Sequence, residues 1–316
     1  MSISTAASPS PDGLAAETDR MTTFIFGEAM LEYHSHGGAG LRYGGDTLNT
    51  AIHLVRAGHE VAYVTAVGTD PISDALVDAW RAEGIDTRHV LRHPNRSPGI
   101  YAIHLDQHGE RSFLYWRDRT AAREMFELPE MDAALAEAQT ARLVYFSLIS
   151  LAVVSEGGRD RLLDLAKERK LSAHPTAYDS NFRPALWSNL DTARAVSKDA
   201  MEAATIGLPT NTDERDLWDY SENEQAIAAR WLSSDQEVVA VKAAEKGCVL
   251  GTRGGDSPQI IDAERVEVID SSGAGDAFNG GFLGEWLNGS KLVSCVEAGQ
   301  ALARKTLTHQ GAIEVR

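Results

Sequence analysis

Cysteine is nearly absent from this chain: 316 residues contain two, Cys248 and Cys295. That count excludes a disulfide framework and a thiolate metal site, and it fits a reducing, cytoplasmic setting. Positive charge is also scarce, with 30 Lys and Arg against 46 Asp and Glu and a formal net charge of −16. So acidic a chain has no general attraction for nucleic acid or anionic lipid, and neither is expected as a partner. An anionic small molecule would have to be met by a local group of arginines or lysines. No apolar run is long enough to span a bilayer. Two phosphate-binding patterns are missing as well, G-x-x-x-x-G-K-[ST] and G-x-G-x-x-G. Their absence removes the Walker-type nucleotide loop and the fingerprint of the dinucleotide-binding dehydrogenases. The ten histidines show no metal-ligand spacing; His34 and His36 read as polar loop residues and His309 as a possible neighbour of a nucleotide base.

What is present is enough for a sizeable core, 43% hydrophobic and 24% charged residues. Residues 1–20, MSISTAASPSPDGLAAETDR, are small and polar and are expected to form a mobile tail ahead of one domain over 21–316. From TFIFGE onward short β-branched runs alternate with helical periods: GGDTLNTAIHLVRAG, with Asp46 in the N-cap position, then EVAYVTAVG, then PISDALVDAWRAEG. GIYAIHLDQHGERSFLYWRD breaks the alternation, because two period-two segments flank DQHGE and predict an antiparallel hairpin. The alternation then resumes to the C-terminus. It implies one mainly parallel sheet with helices on both faces, and a small extra sheet built around the hairpin. In such folds ligands lie beyond the carboxyl ends of the strands. The helical aromatics Trp80, Trp231 and Trp286 read as core or interface residues.

The segment VIDSSGAGDAFNGGFLGEWL concentrates the chemistry. Gly273, Ala274 and Gly275 open a helix whose first-turn amides are unpaired and carry partial positive charge, a ready cradle for an anion. Asp276 projects from that turn. A carboxylate beside a phosphate is placed to take a proton from an attacking hydroxyl. Gly280 and Gly281 would let the helix pack closely against the sheet.

DSSGAGDAFNGGF resembles the C-terminal signature of the ribokinase-like (PfkB) carbohydrate kinases, with Ser271 where Thr is usual. Other stretches fall in the family's order. GGDTLNTAIHLVRAG is similar to its sugar-binding signature, NTDE (Asn211–Glu214) to its N-x-x-E element, and VKAAEKGC to its nucleotide loop, with Ala244 where Gly is usual. The resemblance spans roughly residues 23–312 and implies a three-layer α/β fold with a β-sheet lid over about 29–45 and 97–119. It implies ATP and Mg²⁺, Asp276 as catalytic base with Gly273, Ala274 and Gly275 as the anion cradle, and Glu214 acting on the metal through water. Asn211, Lys242, Gly247, Gly273 and Gly275 would face the nucleotide.

The substrate end is read from the hairpin. Strand alternation sets Tyr115, Arg117 and Arg119 on one face, while Arg183 precedes Pro184 in a strand-exit loop. Both arginines admit an ordinary reading as partners of nearby acids such as Asp118 and Asp179. YGGDTLNTA, GIYAI, GERSFLYWRDRTAAR and NFRPALW are similar to the branch of the family that phosphorylates 2-keto-3-deoxygluconate at its C6 hydroxyl. That likeness implies sugar-acid contacts by Gly45, Tyr101, Tyr115, Arg117 and Arg183. Asp46 and Asn49, one helical turn apart, are expected to bond sugar hydroxyls, with Asp46 also available as a cap. A kinase of a neutral sugar and a binding regulator without turnover stand as alternatives, and pairing of chains through the lid is expected.

Overall fold

The computed structural model describes residues 22–34, 42–105, 111–218 and 221–314. The expected tail, His36, much of the Gly-rich segment before Tyr43 and the DQHGE turn lie outside the described residues. The strands are β1 (Thr23–Phe26), β2 (Met30–His34), β3 (Tyr43–Gly44), β4 (Val61–Val67), β5 (Val90–Arg92), β6 (Gly99–Leu105) and β7 (Arg111–Trp116). They continue with β8 (Leu143–Ser147), β9 (Thr176–Asp179), β10 (Ile206–Gly207), β11 (Val238–Lys242), β12 (Cys248–Thr252) and β13 (Gln259–Ile261). The helices are α1 (Asp46–Arg56), α2 (Pro71–Glu83), α3 (Met131–Ala138), α4 (Leu148–Val153), α5 (Glu156–Leu171) and α6 (Leu190–Ala203). The last four are α7 (Asn211–Trp218), α8 (Glu224–Ser233), α9 (Ala274–Leu287) and α10 (Leu292–Leu307).

Nine strands form one sheet in the order β13-β12-β11-β10-β9-β8-β1-β4-β5. Pairing is parallel from β5 across to β11; β12 pairs antiparallel with both β11 and β13, so it alone among these nine strands runs in the opposite sense. Consecutive strands step away from β1 first toward β5 and then, from β8 on, the other way. The sheet therefore has its switch point between the carboxyl ends of β1 and β8, where an α/β sheet opens a crevice for ligand. Every residue of β1, β4, β8 and β9 is buried, as a sheet covered on both faces requires. Alternation along β1 sends Phe24 and Phe26 into one core with Phe126, Tyr178 and Trp231, and Ile25 into the other with Tyr63, Trp80 and Phe282. Trp80 and Trp231 have no exposed surface, and Trp286 packs against the second core from its edge.

The hairpin β6–β7 forms as expected and joins β2 and β3 in a separate four-stranded mixed sheet, β3-β2-β6-β7. Tyr101 pairs with Tyr115 across it.

Helix ends follow local chemistry with one exception. Asp70 caps α2 by accepting from the Ile72 and Ser73 amides, Pro71 occupies the first turn, and Gly84 closes it in the left-handed region. Asp46 is no cap: Gly45 holds that position, without a side-chain bond, and Asp46 is the first helical residue. The glycine pair of α9 also meets neighbours other than those expected. A Cβ on Gly280 would lie 2.5 Å from the Cβ of His53 on α1, and one on Gly281 would lie 2.6 Å from the carbonyl oxygen of Ala298 on α10. The glycines admit two helices, not the sheet. Gly281→Ala is expected to destabilise the fold by about 1–3 kcal/mol, the usual cost of overpacking against backbone, and urea unfolding of the variant measures it.

Candidate active site

The segment before α9 is folded by one carboxylate. Asp270, buried after the exposed pair Val268–Ile269, accepts from the Ser272 amide at 2.9 Å and from the Gly311 amide at 2.6 Å. Gly273 then caps α9 at φ 71°, and a Cβ there would stand 2.8 Å from the Cα of Ala312. Both the backbone angle and the close approach demand glycine. The Ala274 amide makes a long turn bond to the Ser271 carbonyl, 3.4 Å.

Asp276, in the first turn of α9, is 9% exposed and accepts a 2.8 Å hydrogen bond from Asn49 Nδ2. Thr50 Oγ1 holds the Asp276 carbonyl at 3.3 Å, so α1 grips both ends of the residue. The Asn49 amide group is thereby committed, while its buried Oδ1 has no partner among the described residues and remains open to a hydroxyl donor. Burial, reinforced by the Asp46 carboxylate, pushes the Asp276 carboxyl up to about 8. Asp46 sits at the switch point, where Ser147 Oγ donates to it and Asn181 Nδ2 donates at 3.1 Å. Burial raises its carboxyl as well.

Beneath these acids lies a network that single-residue reading missed. Lys242 Nζ, on the last residue of β11, donates to Asp179 Oδ1 at 3.1 Å and to Asn279 Oδ1 at 3.0 Å. Asn279 Nδ2 donates to Asp179 Oδ2 at 2.7 Å and to the Tyr145 hydroxyl at 3.1 Å. Asn279 follows Asp276 by three residues, one helical turn, and that spacing in GDAFN was the available signal. Asp179, the last residue of β9, and Asn181, two residues past it, had a similar signal in DSN. Lys242 thus serves the floor under α9, 3.9 Å from where a Gly275 Cβ would stand. Gly247 turns β11 into β12 at φ 91°, and Ala244 adopts φ 49°, the left-handed region where the family carries glycine. Gly45 packs against the β1–β2 connection, where a Cβ would lie 2.5 Å from the Glu28 carbonyl oxygen.

The residues expected at the substrate end lie on or just past the small sheet and on the loop after β9. Arg117 follows β7, rests 5.8 Å over the Tyr115 ring and is ion-paired with Glu28, a buried acid just past β1. Glu28 Oε1 also accepts from Thr120 Oγ1 at 2.5 Å. Arg119 is exposed in the following turn. The Tyr101 hydroxyl donates to Glu32, and its phenol is raised by burial, then by Glu32, with a smaller contribution from Asp276. Arg183 is half exposed, donates to the Phe182 carbonyl at 2.7 Å and pairs with Asp213 at 3.4 Å. Burial lifts the Asp213 carboxyl to about 6. The acids that hold the two arginines are therefore Glu28 and Asp213, not Asp118 and Asp179.

The N-x-x-E residues point into the protein. Asn211 Nδ2 donates to Glu224 at 2.9 Å, and Glu214, with no exposed side-chain surface, accepts from Arg230 at 2.8 Å and Trp231 at 2.9 Å. Glu214 is a strut between α7 and α8, while its other oxygen, Oε1, is buried and without a partner among the described residues. Among the described residues no group of three or more His, Cys, Asp or Glu could hold a metal ion by itself.

A model of the pfkB family of carbohydrate kinases matches residues 28–316. The 2-dehydro-3-deoxygluconokinase of Haemophilus influenzae is 35% identical over 296 residues, 92% of this chain and 94% of that protein. That of Escherichia coli K12 is 34% identical over 92% of this chain and 96% of its own length. A ribokinase from Haemophilus influenzae is 26% identical over 86% of this chain and 83% of that protein. Among solved structures, the 2-dehydro-3-deoxygluconokinase of Thermotoga maritima superposes with a TM-score of 0.81 at 22% identity, covering 94% of this chain and 96% of that one. A Xylella fastidiosa fructokinase with bound ATP gives 0.78 at 22%, covering 93% and 94%.

The Asp276 environment has a thermodynamic signature. Between its unfolded value of 3.8 and about 8 the folded state holds a proton that the unfolded chain has lost, so stability falls as pH rises through that window. Asp276→Asn, which keeps an acceptor for Asn49, is expected to flatten that decline and to exceed the parent's melting temperature above pH 8. Melting curves from pH 5 to 9 test this, and parallel curves would contradict it.

Proposed function

Because the chain belongs to the PfkB family of carbohydrate kinases, we propose that it moves the terminal phosphoryl group of ATP to the C6 hydroxyl of 2-keto-3-deoxygluconate (2-dehydro-3-deoxygluconate). The observation that carries the reaction is Asp276, buried and oriented by Asn49 in the first turn of α9, beside a cradle that only glycine can form. Asp276 in its ionised form takes the hydroxyl proton as the C6 oxygen bonds to phosphorus and the bond to the ADP oxygen breaks. Amides of Gly273 and Gly275, with the α9 dipole behind them, stabilise charge on the transferred group. Lys242, close beneath Gly275, adds positive charge at that helix start. Asp46 and the open Oδ1 of Asn49 bond the substrate hydroxyls and set its pose.

The residues present fit a magnesium ion carried in on the nucleotide phosphates rather than one caged by the protein, with Glu214 at most a distant support. Bound that way, it would neutralise charge on the leaving phosphates. The strand-to-strand turn from Lys242 to Gly247 faces the nucleotide. The sugar-acid reading is supported by the higher identity to 2-dehydro-3-deoxygluconokinases than to a ribokinase, and by the buried guanidinium of Arg117. A cytoplasmic setting suits a nucleotide-dependent enzyme whose two cysteines are buried thiols.

The small sheet acts as a lid over the sugar. Its cleft side carries Tyr101 and Tyr115, and alternation puts Tyr33, Ile100, Leu114 and Trp116 on the reverse, between 39% and 61% exposed. So much apolar surface on one face suits a second copy of the chain, which presents the same face.

Two outcomes follow. A panel of sugar acids and neutral sugars with ADP detection is expected to single out 2-keto-3-deoxygluconate. On it, Asp276→Asn should lower kcat by roughly 10²–10⁴ with little change in substrate binding; a preference for fructose or ribose would replace the substrate assignment, and near-full turnover would remove Asp276 as base. For the lid face, Leu114→Glu should convert a dimer to monomer in light scattering, whereas a monomeric parent would end the pairing proposal.

A further inference from the structure

Arg117 is the cation that the sugar-acid reading assigns to the substrate carboxylate, yet a carboxylate of the protein already holds it. Glu28 is 2% exposed and the Arg117 side chain 11%, so the pair is withdrawn from water. Glu28 divides its oxygens: Oε2 takes Arg117 Nη2 and Oε1 takes Thr120 Oγ1. The three residues come from separate places, the exit of β1, the exit of β7 and the start of the next turn, and one carboxylate locks them together. The Gly45 close approach clamps the Glu28 backbone from the other side. A guanidinium has five N–H donors, and Glu28 uses one of them. Arg117 Nε is buried and has no partner among the described residues. A buried donor without an acceptor is rare and costs free energy until one arrives.

We infer that Glu28 is a positioning residue for Arg117, fixing the guanidinium so that its unspent donors, Nε among them, meet the carboxylate of the substrate. The inference rests on the sugar-acid reading above. Without Glu28 the arginine keeps its charge but loses its fixed direction. A paired arginine also carries no net charge into the cleft, so recognition depends on geometry and not on bulk attraction. Small anions such as inorganic phosphate, which attraction alone would gather, gain little hold.

A double-mutant cycle tests this, with kcat and KM measured for 2-keto-3-deoxygluconate and for ATP. Glu28→Gln should raise KM for the sugar acid by about tenfold or more, the worth of a charge-assisted hydrogen bond, while KM for ATP and kcat change by less than about twofold. In the Arg117→Ala background the same change should add less than about twofold, because the group it positions is gone. Additive effects, or equal losses for sugar acid and ATP, would overturn the inference. If Arg117→Ala itself leaves the sugar-acid KM unchanged, the carboxylate reading fails and takes this inference with it. If Arg117→Ala raises KM and Glu28→Gln does not, only the positioning role fails. Should Glu28→Gln not fold, Thr120→Val removes just one anchor of Glu28 and should raise the sugar-acid KM about threefold, the low end for one hydrogen bond, with ATP unaffected; no change there would overturn the role equally.

Discussion

One hydrogen bond of 2.8 Å joins Asn49 to Asp276 across 227 residues of sequence, and the site is organised around it. It exists because α9 can lie directly on α1, and α9 can do so because Gly280 leaves room for His53. The helix interior gives up roughly 0.5–1 kcal/mol of propensity at each glycine to reach that distance. What is obtained is an acidic side chain whose direction is set by a neighbouring helix.

The same packing creates an electrostatic problem that the fold answers in layers. Asp46, Asp179 and Asp276 are gathered in one place within a protein that is already acidic overall. Lys242 is the counter-charge, and Asn279 connects it to Asp179 so that every oxygen of that lower acid is bonded. Among the described residues one neutral donor, Asn49, bonds the Asp276 carboxylate, and burial dominates its proton affinity. A base that holds its proton more tightly is also a stronger acceptor when empty. For the base proposed above, the tension among these carboxyls would favour the proton transfer, and the floor network ties down Asp179 beside it.

Local pattern made much of this legible. Alternating periods located the strands and helices, Pro71 and Gly84 marked the ends of α2, and the glycine run before Asp276 marked the start of α9. What escaped depended on partners distant in sequence. Asp46 looks like a cap from its neighbours, but Gly45 must sit against Glu28, and that contact advances the helix by one residue. Glu28 itself carries no local signature: a lone acid after a strand is legible only once β7 delivers Arg117 to it. Glu214 could not be distinguished from an exposed acid until α8 brought Arg230 and Trp231 over it. Family likeness named positions, and side-chain commitments had to come from the fold.

The tie between Asp270 and the Gly311 amide spans 41 residues, and Ala312 fills the space beside Gly273. The turn that opens α9 is consequently a composite, held in part by a stretch beyond α10. Proteolytic nicking after α10 would spare every acid in the crevice and still slacken that turn, which the proposed reaction needs to hold its anion. Susceptibility to loss of turnover therefore extends well past the residues that perform it.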